Sequence, residues 1–259
     1  MSGFRRWMVS MVLPPLAVAV LLIVLWQGTV MALNIKPYLL PSPFQVFQAI
    51  ARDRWSLLEA SWLTARCALT GFTICLVLGT ALGLIFARSP FLRRGLYPYA
   101  VFLQTVPIIA VAPLILNWLG PGFASMVTVV VVVAIFPIIA NVTEGALSVD
   151  RSMRDLFRVY GAAAWQTLRS LEFPFVIPHL LTGARSCGGL SVIGAIVGEF
   201  FAGHTTRSHG LGFLIPQRIQ WMKTDEAFAA VLAATVLGLA FFATIGWLRS
   251  SLLARWCRR

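Results

Sequence analysis

This 259-residue sequence predicts an all-α polytopic membrane protein with about six transmembrane helices, and three observations carry that reading. The composition is 59% hydrophobic and only 12% charged, with a mean hydropathy of +0.83, values that exclude an ordinary water-soluble domain. Several apolar runs reach the length of about 20 residues that a helix needs to cross a hydrocarbon core of about 30 Å. The runs are unbroken rather than alternating, which excludes the strands of an outer-membrane barrel. The net charge of +12 fits basic cytoplasmic loops beside anionic headgroups better than a nucleic-acid surface.

Residues 1–10 read as a cytoplasmic N-terminus, and Met11–Met31 as the first membrane helix, since that run exceeds the 7–15 residues of a signal-peptide core. Residues 34–61 form an external segment. In it Leu40-Pro41-Ser42-Pro43 stops any helix, and Phe44, Val46, Phe47 and Ile50 can line a short interfacial one. The membrane core, 62–248, holds the remaining spans: Leu63–Ala87, Leu96–Leu119, Ala124–Val142, Phe175–Ala202 and Ala227–Leu248. Gly120-Pro121-Gly122 predicts a tight outer turn and a hairpin of the third and fourth spans. A polar segment within 141–174 is the only part large enough to meet a soluble cytoplasmic partner. The outer loop His204–Thr224 is polar with Gly210 and Gly212 near its middle, and 249–259 is a basic cytoplasmic tail.

Cationic side chains set the orientation. Segments drawn inside carry Arg5, Arg6, Arg88, Arg93, Arg94, Arg151, Arg154, Arg158, Arg169, Arg249, Arg255, Arg258 and Arg259; those outside carry Lys36, Arg52, Arg54, Arg207, Arg218 and Lys223. That bias places both chain ends in the cytoplasm.

The chemistry of an enzyme is hard to assemble. His179, His204 and His209 have no carboxylate or thiolate beside them in sequence to complete a metal site, and Cys67, Cys75, Cys187 and Cys257 form no CxxC pair. No GxxxxGK[ST] loop cradles a nucleotide. Prolines inside or near the spans, Pro98, Pro107, Pro113, Pro137 and Pro178, each remove a backbone donor. In the fifth span Gly194 and Gly198 have GxxxG spacing among many small residues, which suits a pathway-lining or dimer-forming helix and equally suits tight packing inside one subunit. Glu199 is the one acid at membrane depth, a structural acceptor or a substrate contact, and Arg185 sits toward the inner end of the same span. With so few ionisable groups in the membrane, energy for pumping has to come from a partner.

The inside segment carries a motif. Asp155-Leu156-Phe157, then three residues, Gly161, nine residues, Leu171, one residue and Phe173-Pro174 resembles the EAA loop of ATP-binding-cassette importer permeases. Leu156 and Phe157 depart from its two alanines, and Phe173 from its leucine. Read physically, Gly161 suits a left-handed turn between two short helices and Pro174 the first turn of the next membrane helix. Leu40-Pro41-Ser42-Pro43, the stretch from Gln104-Thr105-Val106-Pro107 to Trp118-Leu119-Gly120, and Gly198-Glu199-Phe200 with Gly210-Leu211-Gly212 look like the branch that imports nitrate, sulfonate, taurine and pyrimidine precursors.

The resemblance, over about Leu40 to Leu248, implies a type I importer permease in a bacterial inner membrane. It also implies a second and usually identical permease copy, two cytoplasmic ATPase subunits docked on the loop, and an external solute-binding protein. No cofactor is bound by this chain, ATP and Mg being used by the ATPase. The implied cargo is a small anion or a pyrimidine- or riboflavin-type vitamin precursor. Two alternatives without transport coupling are a membrane scaffold and a channel that docks a cytoplasmic partner.

Overall fold

A computed structural model describes residues 2–202 and 209–256, with side-chain surroundings from 13 to 251. His204 and Arg207 of the outer loop, and Cys257, Arg258 and Arg259 of the tail, lie outside the described residues. The described elements are helical: α1 (Ser2–Ala32), α2 (Pro43–Arg52), α3 (Arg54–Arg88), α4 (Pro90–Thr105), α5 (Ile108–Leu119), α6 (Phe123–Leu147), α7 (Arg151–Val159), α8 (Ala164–Thr167), α9 (Phe173–Ala202), α10 (Leu211–Gln220) and α11 (Thr224–Trp256). They fall into two compact units, one of Met1–Leu58 with Leu214–Leu232 and one of Glu59–Phe213 with Ala233–Arg259.

In the first unit, Ser42 and Gln45 start α2 with a capping box: the Gln45 N–H donates to Ser42 Oγ at 3.3 Å and the Ser42 N–H to Gln45 Oε1 at 2.9 Å. Val46 and Ala49 of α2 are buried while Phe44 and Phe47 stay exposed. Arg218 is the unit's ionic hub. Its guanidinium lies 2.7 Å from Asp53 and 2.7 Å from Glu226, and Lys223 reaches Glu226 at 3.1 Å.

In the second unit, glycines set helix spacing and reveal direction. A methyl group on Gly79 would lie 2.8 Å from Ile138 Cβ, and one on Gly83 2.7 Å from Val142 Cβ; on Gly71 it would collide with Val130. Both sets of numbers rise together, so α3 and α6 run parallel at close approach. On α9, Gly183 faces Pro137 and Asn141, Gly194 faces Val130 and Gly198 faces Met126, so α9 runs antiparallel to α6. Gly188 faces Ile245, and Gly238 faces Val192, which turns α11 antiparallel to α9. The C-terminal ends of α3, α6 and α11 and the start of α9 therefore share one end of the unit. That end carries Arg88, Arg93, Arg94, Arg151, Arg154, Arg158, Arg169 and Arg249, the cationic side chains on which the expected orientation rests.

The third span departs from its expected form. Leu96–Leu119 is not one helix; α4 and α5 meet at 104° across Val106-Pro107. Pro107 has no N–H to continue the ladder and drives Val106 to an extended conformation, with ψ of 125°. Because α3 and α6 run parallel, the bent pair must carry the chain back across the membrane once. Taken as one broken span, it brings the helical segments long and apolar enough to cross a membrane to six among the described residues. Gly120, at φ of 76°, then turns the chain into α6, with the Ser125 hydroxyl donating to the Gly120 carbonyl, as the expected hairpin requires.

Helix boundaries at the arginine-rich end also differ. α6 continues to Leu147, and the helical run that contains the fifth span begins at Ala164 rather than Phe175. Pro174 stands in the first turn of α9, as expected, and the helical run extends upstream of it. The proline follows a π-helical turn, Leu168–Glu172, whose wider ladder accommodates the missing donor.

Candidate functional site

The polar segment between α6 and α9 folds as a compact protrusion. Asp150 caps α7, accepting from the Ser152 N–H at 3.2 Å. Gly161 ends it in the left-handed conformation, φ 66°. The Gly161 N–H donates to the Arg158 carbonyl at 3.0 Å and the Ala162 N–H to the Phe157 carbonyl at 2.9 Å, the closure expected of a glycine-terminated helix. The chain then reverses into α8.

The outward face of this protrusion is apolar. Met153, Leu156, Val159, Tyr160 and Trp165 are exposed, Val159 at 84% and Tyr160 at 81%. Asp155 is exposed and pairs only with Arg158, at 3.5 Å on the surface, a contact worth little by itself. Leu171 is buried and Phe173 exposed. Of the loop arginines, Arg151 and Arg169 are exposed, whereas Arg154 turns back into the chain.

Arg154 belongs to a cluster that sequence reading missed. Glu172, buried at the end of the π turn, accepts from Arg88 Nε at 3.1 Å, and Arg154 Nη1 lies 3.9 Å from it. Arg88 Nη2 also donates to the Ala164 carbonyl at 3.0 Å, and Arg154 Nη2 to the Ala146 carbonyl. One carboxylate thus joins the end of α3 to the protrusion. The residues stand 84 positions apart, so no local pattern shows the pairing; the signal available was an acid placed between Leu171 and the Phe173-Pro174 end of the motif.

At the other end of α9, Glu199 is buried with Thr64 of α3. The Thr64 hydroxyl donates to Glu199 Oε2 at 2.9 Å, the Gly212 N–H donates to the same oxygen at 3.0 Å, and the Leu211 N–H donates to Thr64 Oγ1 at 3.0 Å. A side chain on Gly210 would collide with the Glu199 carboxylate and one on Gly212 with the Ile196 carbonyl. Glu199 is thus a hydrogen-bond acceptor that seats the 210–212 turn. Gly194 and Gly198 face α6 of the same chain, methyl groups there lying 2.9 Å from Val130 Cα and 3.1 Å from Met126 Cα. Arg185 is exposed, its guanidinium carbon 4.2 Å from the centre of the Phe242 ring.

The break between α4 and α5 opens a cavity of about 380 Å³. Its walls include Leu103, Val106, Ile108, Val133 and Leu190, with the Gln104 amide as the only strongly polar side chain. Among the described residues no cationic side chain lines it.

The bent α4–α5 pair and the protrusion between α6 and α9 are compatible with transport and with scaffolding alike, and known families decide between them. Residues 79–256 match the family described as binding-protein-dependent transport system inner membrane component. The chain belongs to this family. As an importer permease it is a transport subunit and a multi-pass membrane protein, which sets aside the non-transporting scaffold. It is 33% identical over 243 residues to the formylaminopyrimidine transport permease protein ThiX of Halalkalibacterium halodurans, covering 93% of this chain and 95% of that one. It is 34% identical over 242 residues to the riboflavin transport system permease protein RibX of Chloroflexus aurantiacus, covering 91% and 87%. The nitrate import permease protein NrtB of a Synechocystis species is 29% identical, covering 92% and 87%. The permease fold is also that of a chain from an inward-facing structure of the MetNI methionine ABC transporter, with a TM-score of 0.64 at 18% identity, over 78% of this chain and 97% of the other.

Proposed function

We propose that this permease, paired with a second copy of itself in a bacterial inner membrane, forms the pathway of an ATP-driven importer for an uncharged heteroaromatic vitamin precursor. An external binding protein delivers the solute, and two cytoplasmic ATPase subunits grip the protrusion and hydrolyse the Mg-bound ATP. The observation that carries the reading is the protrusion: Leu156, Val159, Tyr160 and Trp165 stand exposed on a glycine-closed knob, at the arginine-rich end of the second unit, which supports a cytoplasmic location. An exposed apolar patch rimmed by Arg151, Arg158 and Arg169 fits a protein groove edged with acids.

The cargo reading rests on two supports. The relatives at 33% and 34% identity are named for formylaminopyrimidine and riboflavin, while those named for nitrate, sulfonates and taurine stand at 29% and 27%. The cavity at the helix break offers an amide and apolar walls, which suit a planar solute with a few polar edges. A desolvated anion there meets no compensating charge.

Uptake into proteoliposomes holding the permease, its cognate ATPase and binding protein tests the reading. Riboflavin or a formylaminopyrimidine is expected to accumulate with ATP, and nitrate and taurine are not. ATP-driven accumulation of the anions alone overturns the cargo assignment. Failure of permease and ATPase to co-elute overturns the mechanism.

A further inference from the structure

We infer that Glu172 and Glu199 are positioning residues that fasten α3 to the two ends of α9, making α3 a strut that carries movement of the cytoplasmic protrusion to the outer 210–212 turn. This inference rests on the reading that an ATPase grips the protrusion.

The covalent route from α8 into the membrane is a soft one. It passes through the π-helical turn Leu168–Glu172 and then Pro174 and Pro178, where two backbone donors are missing and the ladder is widened, the places where helices bend. The protrusion is also joined to α6 through residues 148–150 and the Arg154 bond to the Ala146 carbonyl, but on the α9 side its movement is absorbed at the bend unless a further connection bypasses it. Glu172 supplies that connection. It sits at the end of the π turn and holds Arg88, the last residue of α3, at 3.1 Å, while Arg88 reaches on to the Ala164 carbonyl at 3.0 Å. The protrusion is thereby tied to a helix more than sixty positions away in the chain.

α3 is built to transmit what it receives. Arg88 and Thr64 lie 24 residues apart on one helix, a rise of about 36 Å, enough to cross the hydrocarbon core. At the far end Thr64 holds Glu199 at 2.9 Å and the Leu211 N–H at 3.0 Å. Two buried carboxylates at the two ends of the α9 region therefore grip opposite ends of a single antiparallel neighbour. A close-packed pair pinned at both ends moves as a body, because packed interfaces shift between discrete arrangements rather than deforming continuously.

The test uses the complete complex in proteoliposomes, with spin labels at Trp62→Cys, an exposed position near the outer end of α3, in both permease copies. The ATP–vanadate-induced change in label separation is read beside ATP hydrolysis and co-elution with the ATPase. Glu172→Gln and Arg88→Gln are each expected to keep assembly, and hydrolysis within about twofold, while the outer distance change falls to less than about a third; the double variant should lose no more, as expected for residues acting as one unit. A full distance change in Glu172→Gln overturns the inference, as do additive losses in the double variant. If Glu172→Gln fails to assemble, Arg88→Gln decides, since it opens the same contact from the membrane side; loss of assembly in both makes the cluster a support of the fold and overturns its transmitting role. No distance change in the unsubstituted complex overturns the permease mechanism itself, and this inference with it.

Discussion

Substituting Gly161 separates backbone strain from steric conflict, because the two are distinct at this position. Its φ is 66°, and a methyl group added there meets no heavy atom within 4 Å. Alanine therefore costs only the left-handed conformation, about 1–2 kcal/mol, a factor of about 5–30 in the population of the closed turn. Asparagine, which tolerates this region, should cost less, and β-branched valine more. Opening the turn breaks the Ala162 bond to the Phe157 carbonyl and misdirects α8, whose Ala164 carbonyl holds Arg88. The assay is binding of the cognate ATPase to detergent-solubilised variants, with ATP-dependent uptake alongside. Affinity should fall in the order glycine, asparagine, alanine, valine, with alanine about tenfold below glycine and membrane insertion unchanged. Equal affinity across the series, or asparagine weaker than valine, refutes the reasoning.

Other substitutions test the packing and the polar clusters. Glu199→Ala leaves the buried Gly212 N–H without its acceptor, at about 1–3 kcal/mol, while the Thr64 hydroxyl keeps the Ala60 carbonyl at 3.0 Å; thermal unfolding in detergent should come earlier, with Glu199→Gln intermediate because an amide oxygen still accepts. Gly194→Ala presses on the Val130 backbone, whereas Gly188→Ala meets the flexible tip of Ile245. The first should cost about 1–3 kcal/mol or more and the second much less, with Ile245→Val restoring it, read from melting temperatures. Arg218→Gln removes the partner of Asp53 and leaves Glu226 with Lys223 alone; for these partly exposed side chains the cost falls between the ~1 kcal/mol of a surface pair and the ~3–5 kcal/mol of a buried one, visible as faster proteolysis near residue 218.

Much of the fold was legible in the sequence because lipid imposes length and apolarity on each span. The Asp155–Pro174 motif likewise located the protrusion, and Gly161 its turn. What stayed hidden was set by contacts far apart in the chain. The break at Val106-Pro107 lies inside an apolar run whose hydropathy does not register a 104° bend. Pro174 was legible as the first turn of a helix, but the π turn just upstream, Leu168–Glu172, leaves no composition signal. The glycines of the fifth span left two packing roles open until Val130 and Met126 were seen opposite them. Thr64 gave no sign of importance; its partner, Glu199, lies 135 positions away.

Labelling Val159→Cys with a membrane-impermeant maleimide, in sealed vesicles of each orientation, tests most directly whether this permease draws its work from an ATPase held on a cytoplasmic knob. Position 159 is 84% exposed, so reagent access depends only on sidedness and on what covers the knob. Modification is predicted solely in inside-out vesicles, with protection when the cognate ATPase is added. Modification in right-side-out vesicles, or access undiminished by saturating ATPase, contradicts the mechanism.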